Sequence, residues 1–204
     1  YERQILKEID KFQVKSLEYV LLHNPNDLKT KEGFQLIKTL KRLKRKKLIK
    51  KLGVSIYQPK DLKFILKKFN PDLVQVPLNV FDIRFIKSNY FKLIKKKNIE
   101  IQARSIFLQG LLLKNDAELK KLKAHPELIK KIKFFENWCL KNNISRLSAC
   151  ISFVKQLKGV ELITTGFNTP QELLQIIKEF NTNKKILIKN FSIRNQNIID
   201  PRKW

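Results

Sequence analysis

The chain has 204 residues, 43% of them hydrophobic, and a formal net charge of +26. That length supports one sizeable core, and that apolar content excludes a disordered tail. The charge points first to a polyanion, but only eight of the 44 basic residues are arginine, the side chain favoured for bidentate phosphate and base contacts. The expectation is therefore a lysine-coated solvated surface rather than a nucleic-acid partner.

Residues 1–12 (YERQILKEIDKF) space Ile5, Leu6, Ile9 and Phe12 as a helix would. LEYVLL (17–22) reads as a short buried strand that delivers His23 to an Asn-Pro turn. Residues 33–47 predict a helix with Phe34, Ile37, Leu40 and Leu43 on one stripe. Residues 48–55 form a strand ending in Gly53-Val54-Ser55, and Pro59 suits the first turn of a helix over 59–69. A strand over 71–79, a helix over 83–97 and a strand over 99–105 follow. Two helices, 126–142 and 145–157, meet at Asn142-Asn143. A last strand over 160–166 leads to a helix over 169–180 with Thr169 as cap and Pro170 at its first position. His125 reads as a surface turn residue, and Trp138 and Trp204 as packing anchors.

Cys139 and Cys150 suggest neither a disulfide framework nor a metal site, so a reducing cytoplasmic compartment is expected, with no metal. No apolar run approaches the roughly 18 residues of a membrane span, and no signal peptide is visible. The first residue is Tyr1 and the chain contains no Met, so it is expected to start downstream of a translation start.

Short apolar strands alternating with amphipathic helices predict a parallel sheet of βα units, read as one domain over residues 1–204. At the carboxyl ends of the strands stand His23, then Ser55, then Gln75 with Asn79 beyond, then Arg104 and Ser105 with Gln109-Gly110 beyond, then Thr165-Gly166. Parallel α/β sheets carry their ligand sites at that edge. No GxGxxG, P-loop, HExxH or GxSxG is present. The polar rim favours a (β/α)8 barrel, or part of one, over a doubly wound sheet.

In EYVLLHNP, KLGVS, DLVQVPLN, IEIQARSIFLQGLLL and VELITTGFNTPQELLQII, taken in that order, the sequence resembles the aldo-keto reductases. The fourth of these stretches and the terminal IIDPRKW most resemble a subgroup found among polysaccharide-biosynthesis genes. The resemblance implies an α/β fold, a (β/α)8 TIM barrel that is incomplete here, with about five of eight strands and the first three βα units missing. It also implies an NAD(P)H-dependent oxidoreductase acting on an aldehyde, ketone or sugar. By the same resemblance His23 hydrogen-bonds the substrate carbonyl oxygen, Ser55 and Gln75 hold the nicotinamide carboxamide, Arg104 stacks where many members carry tyrosine, and Ser105 and Gly166 lie along the cofactor.

Departures from the family pattern carry expectations of their own. Ile56 replaces the usual Asn after the serine. The Lys-Ser and later Arg of the NADP-type pattern are absent, with Gly166, Phe167 and Glu172 near those positions, so NAD and NADP both remain open. The family's Asp, Tyr and Lys belong to strands that would precede this chain, and Tyr1 and Tyr19 do not stand in for the proton donor. The 204 residues alone are therefore expected to be inactive. The alternative is a non-catalytic basic protein using KRLKRKKLIKK (41–51) on a polyanion, or a degenerate reductase serving as a scaffold.

Overall fold

A computed structural model describes residues 1–87, 89–121, 125–182 and 190–203; Trp204 lies outside them. Five strands, β1 (Leu17–Leu22), β2 (Ile49–Ser55), β3 (Leu73–Pro77), β4 (Glu100–Arg104) and β5 (Leu162–Ile163), form one sheet in the order β1-β2-β3-β4-β5. Sequential order with helical crossovers is the order of consecutive units in a (β/α)8 barrel. The β1–β2 and β2–β3 pairs are parallel, with Leu22 opposite Val54 and Ser55 opposite Gln75. The helices are α1 (Glu2–Lys11), α2 (Lys31–Arg45), α3 (Pro59–Lys68), α4 (Arg84–Lys87), α5 (Tyr90–Lys96), α6 (Asp116–Lys121), α7 (Pro126–Lys141), α8 (Arg146–Lys155), α9 (Pro170–Asn181) and α10 (Gln196–Ile199).

The chain divides into two compact units, Tyr1–Val76 with Ser88–Gln102, and Pro77–Lys87 with Ala103–Trp204. In the first, Leu40 and Leu43 of α2 pack on Ile49 and Leu52 of β2, with Ile5 of α1 and Val20 of β1 at the margin. Full burial of such side chains contributes about 1.5–3 kcal/mol each. Asp72 joins three elements here: its carboxylate receives the Leu52 amide at 2.7 Å and the Lys44 ammonium at 2.6 Å. In the second unit Phe135 and Trp138 of α7 stack at 6.5 Å and meet Phe191 edge-on, which makes Trp138 the packing anchor its sequence context suggests. Cys139 and Cys150 are buried. Burial pushes the Cys139 thiol up to about 11 and the Cys150 thiol higher still, so both stay protonated and unreactive.

The helix expected over 1–12 forms as α1, although it buries no residue and Phe12 is exposed. Three expectations need correction. Phe34 is 63% exposed and Gly33 takes the buried place, because a Cβ there would lie 1.8 Å from the Asp27 carbonyl oxygen of the preceding turn. The helix expected over 83–97 is two short helices with Asn89 at the second N-cap, a residue type that competes with the helical backbone. The last strand keeps only Leu162 and Ile163, although the Thr164 amide still reaches the Ala103 carbonyl at 2.8 Å. The Asn142-Asn143 junction holds: Asn142 caps α7 and Asn143 turns left-handed at φ 50°.

Candidate functional site

In the first unit the strand register brings Ser55 beside Gln75. The Ser55 hydroxyl donates to Gln75 Oε1 at 2.8 Å, and Gln75 Nε2 donates to Gln102 Oε1 at 2.7 Å. This relay fixes the Gln75 amide with its acceptor toward β2 and its donor toward β4. His23 follows Leu22, which pairs with Val54, so it stands one residue past that pair, level with Ser55. It is exposed. Asn24 ends the strand there: its side chain accepts the Asn26 amide at 3.1 Å and donates to Asp27 at 3.0 Å, opening a 3-10 turn over Pro25–Lys29. Gln102 was missed in the sequence. Its signal is period-two spacing from Arg104, which puts both side chains on one face of β4.

A second polar group occupies the start of the strands. Tyr19 donates to Glu100 at 3.0 Å, and Lys51 pairs with Glu100 and reaches the Tyr19 hydroxyl at 3.3 Å. Glu100 and Tyr19 hold the Lys51 ammonium well above the ordinary lysine range. Lys51 precedes Ser55 by four residues in β2, about 13 Å along a strand. The group thus lies at the far end of β2 from the Ser55–Gln75 relay.

In the second unit a cleft of about 1090 Å³ is lined by Arg104, Ser105, Gly110, Arg146, Gly166 and Glu172, among others. The structure therefore brings Arg104, Ser105 and Gly166 to one cavity. Arg104 Nη1 donates to the Ser105 hydroxyl at 3.2 Å. The rim is backbone-strained: Ser105, Leu108 and Gln109 have φ of 56°, 48° and 56°, and Gly110 has φ 82°. A Cβ added at Gly110 or Gly166 would meet nothing within 4 Å, which leaves the backbone open to a ligand. The cations on the wall are held in place. Lys114 pairs with Glu118 at 2.9 Å, and Arg146 donates to the Lys114 carbonyl at 2.8 Å and pairs with Glu136 at 3.3 Å. The Asn115 amide and then Lys114 hold the Glu118 carboxyl below its usual range. At the start of α9, Thr169 Oγ1 accepts the Glu172 amide at 3.2 Å while Glu172 accepts the Asn168 amide at 2.6 Å. The amino end of α9 is thereby occupied by its own carboxylate.

Among the described residues no group of three or more His, Cys, Asp or Glu could hold a metal ion, and no helix is long and apolar enough to cross a membrane. Much of the basic stretch 41–51 is ion-paired: Arg42 and Lys46 with Glu2, Lys44 with Asp72, Lys50 with Glu18, and Lys51 with Glu100.

The model of the Aldo/keto reductase family matches residues 1–187. The chain belongs to the aldo/keto reductase family. Its fold is similar to that of aldo-keto reductase AKR11C1 from Bacillus halodurans, with a TM-score of 0.67 for the apo form over 89% of this chain and 62% of that one, at 17% identity. The holo form gives a TM-score of 0.64 over 89% and 61%, again at 17% identity. PA4992 from Pseudomonas aeruginosa gives 0.59 over 88% and 55%, also at 17% identity. This aldo/keto reductase chain thus spans less than two thirds of the length of those structures, and its five strands are an incomplete (β/α)8 barrel. No curated protein matches the sequence.

Proposed function

We propose that this aldo/keto reductase chain carries the cofactor-binding part of a carbonyl reductase that works in the cytoplasm on an aldehyde, ketone or sugar, with the polysaccharide-type members as its nearest functional kin. The carrying observation is the second-unit cleft that gathers Arg104, Ser105 and Gly166 in a chain of this family. The cleft fits a nicotinamide dinucleotide: its volume suits a large ligand, two glycines leave backbone open, and Arg104 offers a planar cation. Bound there, the dinucleotide supplies the hydride. Arg104, Ser105 and Gly166 would hold it there, with the Arg104 guanidinium as the planar cation for the ring. In the first unit the Ser55 hydroxyl and the Gln75 amide form a fixed relay, and the family resemblance assigns this pair to the carboxamide. His23 donates a hydrogen bond to the substrate carbonyl oxygen, where negative charge develops.

Two refinements follow from the geometry. Because Glu172 already fills the amino end of α9, a 2′-phosphate finds a carboxylate where a helix terminus would otherwise attract it, so NADH should bind more tightly than NADPH. And because the Tyr19–Lys51–Glu100 group stands at the far end of β2, it protonates nothing held at Ser55 and Gln75. Loss of a positioned proton donor costs about 10²–10⁴-fold.

The test is fluorescence titration of the purified chain with NADH and NADPH, followed by NADH oxidation with an aldehyde. Saturable NADH binding, weaker NADPH binding and negligible turnover are expected. E172Q should narrow the difference between the two dinucleotides. Turnover comparable to a complete reductase overturns the inactivity, and failure to bind either dinucleotide overturns the cofactor reading.

A further inference from the structure

Asn79 is fully buried in the second unit and belongs to no helix or strand. Its Oδ1 accepts the Phe81 and Asp82 amides, each at 2.9 Å, and its Nδ2 donates to the Ser105 carbonyl at 3.0 Å. The Asn79 and Asp82 backbones also close on each other in both directions, at 3.1 and 3.2 Å. All three side-chain bonds are local to a tight turn except the one to Ser105, which crosses to the cleft rim. Ser105 is the first left-handed residue of that rim, a conformation serine adopts only at a cost; its carbonyl accepts the Leu108 amide at 2.9 Å within the rim and Asn79 from outside it.

The turn is itself anchored. Asp82 is buried and receives a two-pronged grip from Arg84 at 2.8 and 2.7 Å. Arg84 Nη1 lies 3.9 Å from Asp200, also buried, which Arg202 grips at 2.9 and 2.6 Å. The Ile193 amide donates to the Phe81 carbonyl at 2.9 Å. The C-terminal segment thus holds the turn, and the turn holds Ser105.

We infer that Asn79 is a positioning residue for the cleft: it clasps the Ser105 carbonyl and couples the rim to the buried Asp82–Arg84–Asp200 network. The inference rests on the proposal that the cleft takes a nicotinamide dinucleotide. Asn79 touches no ligand; it sets the backbone against which one lies, and small misplacements of such a surface are costly.

The test separates positioning from mere stability. N79D keeps an acceptor for the two turn amides and loses the donor to Ser105. N79S keeps a shorter acceptor and cannot reach across. I132V, in the α7 core of the same unit, serves as a control that loosens packing away from the clasp. Affinity for NADH is measured by fluorescence titration beside the melting temperature. Both Asn79 variants should lose about tenfold or more in NADH affinity, while I132V lowers the melting temperature with its affinity intact. Unchanged affinity in a folded Asn79 variant overturns the inference. Should both variants fail to fold, amide hydrogen exchange on the unmodified chain decides. NADH must slow exchange at Phe81 and Asp82 together with residues 105–110, and slowing confined to 105–110 overturns the inference. Failure of the unmodified chain to bind NADH or NADPH overturns the underlying cofactor reading instead.

Discussion

Gly53 shows how one position serves both packing and site. A Cβ there would stand 2.8 Å from the Leu73 carbonyl oxygen and 3.0 Å from Leu21 Cγ. Backbone cannot yield as a side chain does, so G53A must spread β2 from β3. The expected cost is about 1–3 kcal/mol, read as a lower urea midpoint. Ser55, two residues on, should lose its register with Gln75, so NADH affinity should fall as well. Gly53-Val54-Ser55 was legible in the sequence as a strand end, because period and punctuation are local. Gln102 and Asn79 were not legible as a relay partner and a clasp, since each acquires its role from a residue 27 and 26 positions away. Phe34 misled for a related reason: helical periodicity cannot reveal that a neighbouring turn comes so close to the helix that only glycine fits.

At the scale of elements, the C-terminal segment is held by carboxylates with opposed tendencies. Arg202 holds the Asp200 carboxyl below its usual range, whereas burial raises that of Asp82 against the pull of Arg84. A depressed group contributes stability that is present above its unfolded value, about 3.9, and is lost as pH falls through its folded value. A raised group does the reverse, and stability recovers as pH falls through its folded value toward the unfolded one. Acidification should therefore cost little on account of this pair until pH drops below about 4, after which the Asp200 contribution disappears. D200N should be less stable than the natural chain at neutral pH and lose less on further acidification, which urea melts at stepped pH would show. The strands and most helix starts were legible, because Pro59, Thr169 and Pro170 declare themselves locally. The two-residue β5 depends on tertiary pairing that local propensity does not encode, and the 83–97 helix divides at Asn89, a local breaker that the apolar periodicity around it masked.

For the whole molecule, charge dominates. The formal excess of 26 positive charges far outnumbers the ion pairs that engage the stretch 41–51, and self-repulsion of like charges opposes compactness. Salt screens that repulsion over about 10 Å at 0.1 M. Raising ionic strength from about 0.02 to about 0.3 M should raise the melting temperature by a few degrees; a fall would mean that the pairs matter more than the excess. RNA should bind this chain no better than a non-specific cation, at about 10⁻⁴–10⁻⁶ M near physiological salt, as a gel shift would report. Family and barrel were legible because five strand-end stretches recur in one order. Substrate was not, since nothing in the 204 residues names a sugar or an aldehyde.

The twisted backbone at the cleft rim also offers an opening to the protein engineer. Gln109 is exposed and held at φ 56°, so its side chain contributes little while its Cβ is a burden. Q109G would remove that burden, worth about 1–2 kcal/mol, against an entropic cost of about 0.5–1 kcal/mol. A modest gain in heat tolerance should follow, at the expense of one side chain from the cleft lining.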